Sequence, residues 1–253
     1  MKKKINSKLL KVSIGIPAFN EENNILYLLN LLLKQKQVNY QLLEIIVITD
    51  GSEDSTPKLV RSIKNPIIKL IEGKNRIGQQ LRQNQLVSLF KGDILIIIEA
   101  DTLPTDKKTI NNLVAPFLEK NCRLGMVNGQ AVSLPTKTLA EKIDAHGMHI
   151  KDSISSEWKK GANVYTTSGH AMKALSRNFT EKLVWPSDVP EDSYAYFCLK
   201  KNGFEMKKQR SAQAFVKRAG TFKDYIRRNK KFVGGRQTLK KYFPDDLIDG
   251  EFN

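Results

Sequence analysis

Short apolar runs alternate with segments of helical periodicity through the first half of the chain. Helices are predicted over 23–36, from a Ser-Thr-Pro start at 55–57, and over 77–90. The runs between them are rich in isoleucine and valine and occupy 12–16, 44–48, 67–71 and 94–98. Continuous apolar strands separated by helices are typical of a parallel sheet that is covered on both faces. The pattern therefore predicts an α/β fold with a mostly parallel sheet.

The second half of the chain has a less regular pattern. A strand is predicted over 126–132, and helices are predicted over 138–157 and 191–201. A basic helical stretch follows over 221–242, and we expect it to be broken at Gly234-Gly235. Because the chain changes character near residue 205, we predict one domain over 1–204 and a basic, helical C-terminal extension over 205–253.

The composition is that of an ordinary globular protein. The 253 residues are 40% hydrophobic and 27% charged, enough for a core that needs no disulfide or metal to fold. Cys122 and Cys198 form no CxxC pair, which argues against a zinc site and favours reduced thiols in the cytosol. No apolar run approaches the ~20 residues of a membrane span, and Pro17 interrupts any signal-like segment. We therefore expect a cytoplasmic protein.

The net charge of +16 is concentrated near the C-terminus. Fifteen Lys and Arg face two acidic residues between Lys200 and Lys241, which places thirteen of the sixteen net charges there. Such a segment favours anionic partners such as lipid headgroups, a polyprenyl phosphate or nucleic acid. Its aromatic residues predict an amphipathic helix on the inner face of the cell membrane, with nucleic acid the less favoured partner: Phe222, Tyr225, Phe232 and Tyr242. A solvated basic face without a partner is the alternative.

Polar side chains stand where the predicted strands end. Asn20 and Glu21 follow the first strand, Asp50 follows the second, and Glu99 and Asp101 follow the fourth. Ligands of parallel α/β sheets bind at the carboxyl ends of the strands, so these side chains are candidates for one site. Paired carboxylates suit Mg²⁺ or Mn²⁺, which neutralises the charge of a departing diphosphate. The sequence therefore predicts a metal and phosphate site, although the Asp-Gly pair at 50–51 is also common turn chemistry.

A further acidic pair, Glu191-Asp192, stands at the start of the helix predicted over 191–201. Acids at this position are commonly stabilised by the helix macrodipole. A general base must lie within hydrogen-bonding reach of the attacking hydroxyl, so the role of Asp192 depends on the tertiary structure.

Five segments in this order and spacing resemble family 2 glycosyltransferases with the GT-A fold. The segments are VSIGIPAFNEENNI, VITDGSEDST, GDILIIIEADTLP, TSGHAMKALSR and PEDSYAYFCLKKNGF, and the resemblance covers 12–204. It implies that 1–204 is the catalytic domain of an enzyme that transfers sugar from a nucleotide-diphosphate sugar with inversion.

The resemblance also implies roles for single residues. Asp101 would be the main metal ligand beside Glu99, Asp50 would contact the base or ribose, and Asp192 would be the catalytic base. Two residues would lie near the donor sugar or the acceptor: Gly169 and His170. The nucleoside pocket would be lined by four residues: Pro17, Ala18, Asn20 and Glu21.

Three features depart from the family pattern. Glu99 stands where aspartate is commoner, and Gln79 stands where many members carry lysine. Processive members have a QxxRW motif, whereas the corresponding segment 225–232 contains no tryptophan. We therefore expect transfer of a single sugar to a hydroxyl of a glycan or lipid-linked saccharide. The alternatives are a polyprenyl-phosphate glycosyltransferase, a nucleotidyltransferase, and a non-catalytic module that binds membranes or nucleic acid.

Overall fold

A mixed β-sheet forms the centre of the protein. The computed structural model describes residues 9–119, 121–167 and 172–252. Within them, eight strands share one sheet in the order β3-β2-β1-β4-β7-β6-β8-β5. Their bounds are β1 (Leu10–Ala18), β2 (Tyr40–Asp50), β3 (Ile68–Gly73), β4 (Ile94–Ile98), β5 (Leu103–Pro104), β6 (Leu124–Ser133), β7 (Met172–Ser176) and β8 (Glu205–Val216).

Most of the strands run in the same direction. The strands β3, β2, β1 and β4 are paired in parallel, and β6 and β8 form a second parallel pair. Strand β7 lies antiparallel between β4 and β6, and β5 lies antiparallel at the edge beside β8. The predicted α/β architecture with a mostly parallel sheet is therefore confirmed.

Helices cover both faces of the sheet. Among the helices that the structure describes, none is long and apolar enough to span a membrane. Short 3₁₀ turns occupy Ala115–Leu118 and Trp158–Gly161. The α-helices are α1 (Ile25–Leu33), α2 (Thr56–Ser62), α3 (Gln79–Leu89), α4 (Thr109–Val114), α5 (Leu139–Glu157), α6 (Val164–Thr167), α7 (Arg177–Thr180), α8 (Glu191–Lys201), α9 (Phe222–Leu239) and α10 (Asp245–Phe252).

The apolar strand runs are explained by burial on both sides. Successive side chains of a strand point to opposite faces. In β2, Ile45 and Val47 pack in one hydrophobic cluster with α1 and α4, whereas Ile46 and Ile48 pack in another with α3 and α8. All four side chains are buried. A strand with both faces covered needs apolar residues at every position, which is the pattern seen in the sequence.

Two predicted helices have clear terminal contacts. Helix α5 begins with a capping box, in which Thr138 Oγ1 accepts the Glu141 N–H at 3.1 Å and Glu141 Oε2 accepts the Thr138 N–H at 3.0 Å. Helix α8 has the predicted bounds, Glu191–Lys201, and is followed at Gly203 by a φ of 72°, which closes the last turn.

The predicted break at Gly234-Gly235 is wrong. Helix α9 continues through both glycines to Leu239. A Cβ atom on Gly235 would stand 2.7 Å from Cγ of Pro190, so this glycine allows α9 to pack closely on the chain that leads into α8. The glycine reflects close packing in this helix, which the sequence alone does not distinguish from a helix end.

The residues after 204 begin with a strand of the same sheet. Strand β8 pairs with β6 and β5, although its sequence EMKKQRSAQAFV is basic and polar. The helical part starts later, at Phe222. The division of the chain at residue 204 into two domains stays a prediction, while the strand itself was not predicted.

Candidate active site

A cavity of about 270 Å³ opens at the carboxyl edge of the sheet. It lies at the ends of β1, β2 and β4, where a parallel sheet is expected to bind its ligand. Five predicted site residues, together with Asp101, contribute to its lining: Pro17, Ala18, Glu21, Asp50 and Glu99. The remaining lining residues are Phe19, Arg76, Gly78, Gln79, Arg82 and Ala100. The structure therefore brings together side chains that lie up to 84 positions apart.

The loops after β1 and β2 are joined by hydrogen bonds. Asn20 has a positive φ of 54°, a conformation that asparagine tolerates better than most residues. Its N–H donates to Ser52 Oγ at 3.1 Å, and its Oδ1 accepts the Glu53 N–H at 3.0 Å. The Glu21 N–H donates to Thr56 Oγ1 at 2.7 Å. Asn20 thus uses its side chain to join the loops, beside the cavity lining rather than within it.

Asp50 holds the loop that leads into α3. Its Oδ1 accepts the Ile77 N–H and the Arg82 Nε–H, both at 2.8 Å, and its Oδ2 accepts the Gly78 N–H at 3.0 Å. Burial alone raises the pKa of Asp50, but these donors lower it overall. Gly78 has a φ of 98°, which requires glycine, so the loop can present its N–H groups to the carboxylate. Asp50 therefore fixes the shape of this wall of the cavity.

Two arginines in the cavity were not predicted as site residues. Arg76 lies over the Phe19 ring, with 3.9 Å between the guanidinium carbon and the ring centroid. Arg82 is buried and donates to the carbonyl of Asn75 at 2.6 Å in addition to Asp50. The sequence gives only a weak signal for these two residues, namely an arginine in the loop after a strand and another in the first turn of the helix that follows. The two arginines therefore add positive charge to a lining that also contains four carboxylates.

The carboxylates at the cavity reinforce each other's negative potential. Glu99 accepts a hydrogen bond from Gln79 Nε2 at 3.2 Å. Although water reaches the Glu99 side chain, surrounding protein removes much of its hydration and raises its pKa to about 7, with further contributions from Asp101 and Asp192. The pKa of Glu21 is raised first by burial and then by the charge of Asp101. The charge of Asp101 therefore acts on both Glu21 and Glu99.

The donor set suits a hard divalent cation bound together with phosphate. Within the described residues, no three His, Cys, Asp or Glu side chains are gathered as a complete metal cage. Mg²⁺ commonly takes only one or two carboxylates and fills its shell with phosphate oxygens and water. Glu99 and Asp101 offer carboxylates of this kind in a region whose negative charge already raises the pKa of Glu99. These residues fit the predicted metal.

Asp192 is not part of the cavity lining, but its charge acts on Glu99, and it is paired with a buried lysine. Lys173 Nζ donates to Asp192 Oδ1 at 2.9 Å. Strand β7 positions this lysine opposite Ile97 of β4, two residues before Glu99. Burial alone lowers the pKa of Lys173, but Asp192, Glu191 and Glu99 raise it overall. Strand β7 therefore brings the Lys173 ammonium close to both Asp192 and Glu99.

Helix α5 brings a second lysine, Lys151, near Asp192. Burial lowers the pKa of Lys151 to about 8, while the charge of Asp192 raises it and that of Lys208 lowers it. Lys208 on β8 forms an ion pair with Asp152, the neighbour of Lys151 on α5. Positive charge therefore adjoins Asp192 from both β7 and α5. Neither lysine was predicted. Lys173 lies in the segment TSGHAMKALSR but was given no role, and Lys151 lies in a segment without a recognisable motif.

Two predicted residues, Gly169 and His170, lie outside the residues that the structure describes. Their predicted place near the donor sugar or the acceptor stays a prediction.

Comparison with known proteins identifies related sequences and folds. The sequence model of glycosyl transferase family 2 matches residues 13–184, more than half of the chain. The chain is 32% identical over 112 residues to the undecaprenyl-phosphate 4-deoxy-4-formamido-L-arabinose transferase of Proteus mirabilis, covering 43% of this chain and 34% of that protein. It is 29% identical over 161 residues to the protein of the same name from Aeromonas hydrophila, covering 58% and 48%. The chain thus spans about a third to a half of these relatives.

A solved structure is similar over nearly the whole chain. It is the mannosyltransferase PcManGT from Pyrobaculum calidifontis in complex with GDP-Man and Mn²⁺, with a TM-score of 0.74 and 22% sequence identity. The match covers 97% of this chain and 70% of that one. At this identity the similarity shows the fold, and the predicted GT-A fold is confirmed.

Proposed function

Because this chain belongs to glycosyl transferase family 2, we propose that it transfers a single sugar from a nucleotide-diphosphate sugar to a hydroxyl of a glycan or lipid-linked saccharide. One observation supports this most strongly. The cavity at the sheet edge is lined by Asp50, Glu99 and Asp101, and the charge of Asp192 acts on Glu99. A donor site and a candidate base therefore adjoin each other. Family membership disfavours the nucleotidyltransferase and the non-catalytic module.

The nucleoside end of the donor would occupy the part of the cavity formed by the first two strands. Pro17, Ala18 and Glu21 line it, and Asn20 keeps its loop in place. Asp50, held by Arg82, would contact the base or ribose through the lone pairs that its three protein donors leave available. Arg76 would approach the diphosphate, because its guanidinium lies at the cavity over Phe19.

The phosphate end would lie at Glu99 and Asp101. We propose that Asp101 is the main ligand of Mg²⁺ or Mn²⁺, with Glu99 beside it. When bound, the cation supplies charge neutralisation for the departing nucleoside diphosphate. PcManGT, which shares the fold, was crystallised with GDP-Man and Mn²⁺, and this supports the same arrangement here.

Asp192 would act as the general base. Its carboxylate would accept the proton of the acceptor hydroxyl while that oxygen attacks the anomeric carbon. The bond between the anomeric carbon and the diphosphate oxygen breaks in the same step, and the sugar configuration is inverted. Lys173 donates to Oδ1 of Asp192 from the buried side, which would orient the carboxylate in the site.

Thermal melting with UDP, GDP and their sugars, with and without Mn²⁺, tests donor binding. A ligand at about 100 times its Kd adds about 2.7 kcal/mol of stability, which raises the midpoint measurably. We expect a shift that requires nucleotide and metal together, is lost in Asp101→Asn, and persists in the matched variant Asp106→Asn. The absence of any nucleotide-dependent shift in a folded protein would contradict the proposal.

Turnover of Asp192→Asn tests the base. We expect a loss of roughly 10²- to 10⁴-fold with the nucleotide-dependent melting shift retained. Asp188→Asn is the matched control. Asp188 precedes the same helix, but its carboxylate accepts hydrogen bonds from Tyr242 and Lys241 instead of Lys173. Normal turnover in Asp192→Asn would exclude Asp192 as the base.

A polyprenyl phosphate is the second candidate acceptor. Two relatives are named as undecaprenyl-phosphate sugar transferases, and Lys151 and Lys173 place positive charge beside Asp192. A phosphate oxygen needs no strong base, so activity toward such an acceptor would survive Asp192→Asn. The two acceptor classes are distinguished by the same variant.

Such acceptors imply a peripheral position on the inner face of the cell membrane. The concentration of basic residues between Lys200 and Lys241 supports an anionic membrane surface as a partner, with nucleic acid less favoured.

A further inference from the structure

Helix α5 presents a row of large apolar side chains to solvent. Leu139, Ile143, Ile150 and Ile154 are between 42% and 70% exposed. At 3.6 residues per turn they fall within about 60° of the helix circumference and extend over about 22 Å. Isolated exposed apolar residues are common on protein surfaces, but four on one narrow face of a helix, in two pairs separated by His146 and Gly147, indicate an interaction site.

The opposite face of α5 is attached to the protein. Asp144 is buried, and its Oδ2 accepts the Ala219 N–H at 3.0 Å. Ser155 is also buried, and its carbonyl accepts from Asn163 Nδ2 at 2.6 Å. The outward orientation of the apolar row is therefore fixed by contacts on the inner side of the helix.

The first turns of α9, whose start is joined to the start of α5, also carry exposed apolar residues. Phe222 and Ile226, four residues apart on the helix, are 49% and 51% exposed. Thr138 Oγ1 donates to the carbonyl of Gly220 at 3.1 Å, which joins the residues immediately before α5 and α9. We refer to the exposed residues among 139–154 of α5 and among 222–227 and 229–230 of α9 as the α5–α9 surface.

Basic side chains border the apolar residues. Four lysines in or beside the α5–α9 surface are exposed: Lys137, Lys142, Lys223 and Lys230. Asp224 is the acidic residue of the α9 part, and its carboxylate is paired with Arg227 at 2.9 Å. The surface therefore combines apolar anchors with an excess of positive charge.

We propose that the α5–α9 surface docks on an anionic lipid bilayer, with α5 lying in the plane of the headgroups. A long, narrow apolar row with cationic borders is the pattern of an interfacial helix. The apolar side chains enter the boundary of the acyl chains, and the lysines contact anionic headgroups. The apolar anchors belong to α5, whose four acidic residues and two lysines give a net charge of −2, so the attraction to anionic headgroups comes from α9 and the lysines beside the row.

This docking would bring the candidate active site to the membrane surface. Ile150 and Ile154 face outward from the same helical turns whose Lys151 interacts with Asp192. An α-helix is only about 10 Å across, so the acceptor side of the site would lie one helix from the headgroups. The link to a lipid-linked acceptor rests on the proposed function, whereas docking itself is measured without nucleotide or sugar.

Vesicle cosedimentation of the whole chain tests the surface. We expect binding to phosphatidylcholine vesicles that contain phosphatidylglycerol, and roughly tenfold or more weaker binding of Ile150→Asn/Ile154→Asn. The matched control is Val38→Asn/Leu118→Asn, which changes two exposed apolar residues outside the α5–α9 surface. Lys223→Gln/Lys230→Gln should weaken binding to the anionic vesicles and reduce its salt dependence.

Equally weakened vesicle binding in the α5 and control variants would overturn the proposal. A wild-type protein that does not bind anionic vesicles would also overturn it. Sedimentation velocity distinguishes a second copy as the occupant. A dimer that Ile150→Asn/Ile154→Asn dissociates, without vesicle binding by the wild type, would assign the surface to self-association and contradict membrane docking. Vesicle binding with no nucleotide-dependent melting shift would support docking and contradict only the proposed transfer.

Discussion

The ammonium group of Lys173 lies 2.9 Å from the carboxylate of Asp192, in a strand that runs against the direction of its neighbour β4. Lys173 is only 3% exposed, and its Nζ lies 5.6 Å from the centroid of the Trp185 ring. The lysine is thus held by packing before any substrate binds. Because Asp192 lies at the first turn of α8, the ion pair fixes the candidate base against the sheet.

Replacement of Lys173 by methionine should impair catalysis more than donor binding. The side chain keeps most of its length but loses the hydrogen bond that orients Asp192, so we expect kcat to fall on the order of 100-fold. The KM for the donor should change little, and Lys173→Arg should restore part of the rate. Steady-state kinetics measure both constants. A rise in KM with unchanged kcat would show that Lys173 does not position the base.

Loss of the buried pair between Arg82 and Asp50 should destabilise the protein. Their side chains are 5% and 8% exposed, and removal of one partner leaves the other charge buried. We expect Arg82→Met to lower the free energy of unfolding by about 3 kcal/mol or more, measured by urea denaturation. Arg82→Met/Asp50→Asn should lose less than the sum of the single variants. Additive losses would mean that the pair is not coupled.

Glu44 should make the stability depend on pH at the acidic end. The residue is 2% exposed, and its carboxylate accepts from Ser13 Oγ at 2.8 Å and Lys69 Nζ at 2.6 Å. Burial raises its pKa, but these donors and the Lys91 N–H lower it overall. A pKa below the unfolded value of about 4.3 adds stability that is present above that pH and is lost as the pH falls through the folded pKa.

We therefore expect Glu44→Gln to lose about 1–3 kcal/mol at neutral pH, and the difference from the wild type to shrink below about pH 4. Urea denaturation over this range measures it. The exposed Glu181→Gln should differ little from the wild type throughout. A difference for Glu44→Gln that grows on acidification would contradict the assignment.

Two helical glycines should respond oppositely to alanine. In an exposed helix interior, alanine is favoured over glycine by up to about 1 kcal/mol. Gly147 in α5 has open space around the position of a Cβ, so Gly147→Ala should stabilise the protein by roughly this amount. Gly235→Ala should instead destabilise it, because the new methyl group would meet Pro190 at 2.7 Å. Thermal melting of both variants gives the comparison, and stabilisation by Gly235→Ala would exclude the close approach.

The sequence alone determined the parts of the molecule that depend on local periodicity. Strands buried on both faces need apolar residues at every position, so the runs at 12–16, 44–48 and 94–98 were recognisable. The carboxyl ends of parallel strands share one edge, so Glu21, Asp50, Glu99 and Asp101 were predicted to meet, and they line or adjoin one cavity. The capping residue Thr138 likewise acts within its own turn.

The tertiary structure alone decided which distant segments complete that site. Strands β7 and β8 were not predicted, because Lys173 in β7 and the basic residues of β8 interrupt an apolar pattern that would mark them as buried. Lys173 and Lys151 reach Asp192 only through pairings between strands and helices far apart in the chain. Position 235 is a similar case, because close packing against Pro190, 45 residues earlier in the chain, requires a glycine there. Such contacts depend on shape and charge across the fold, which the local pattern of one sequence does not encode.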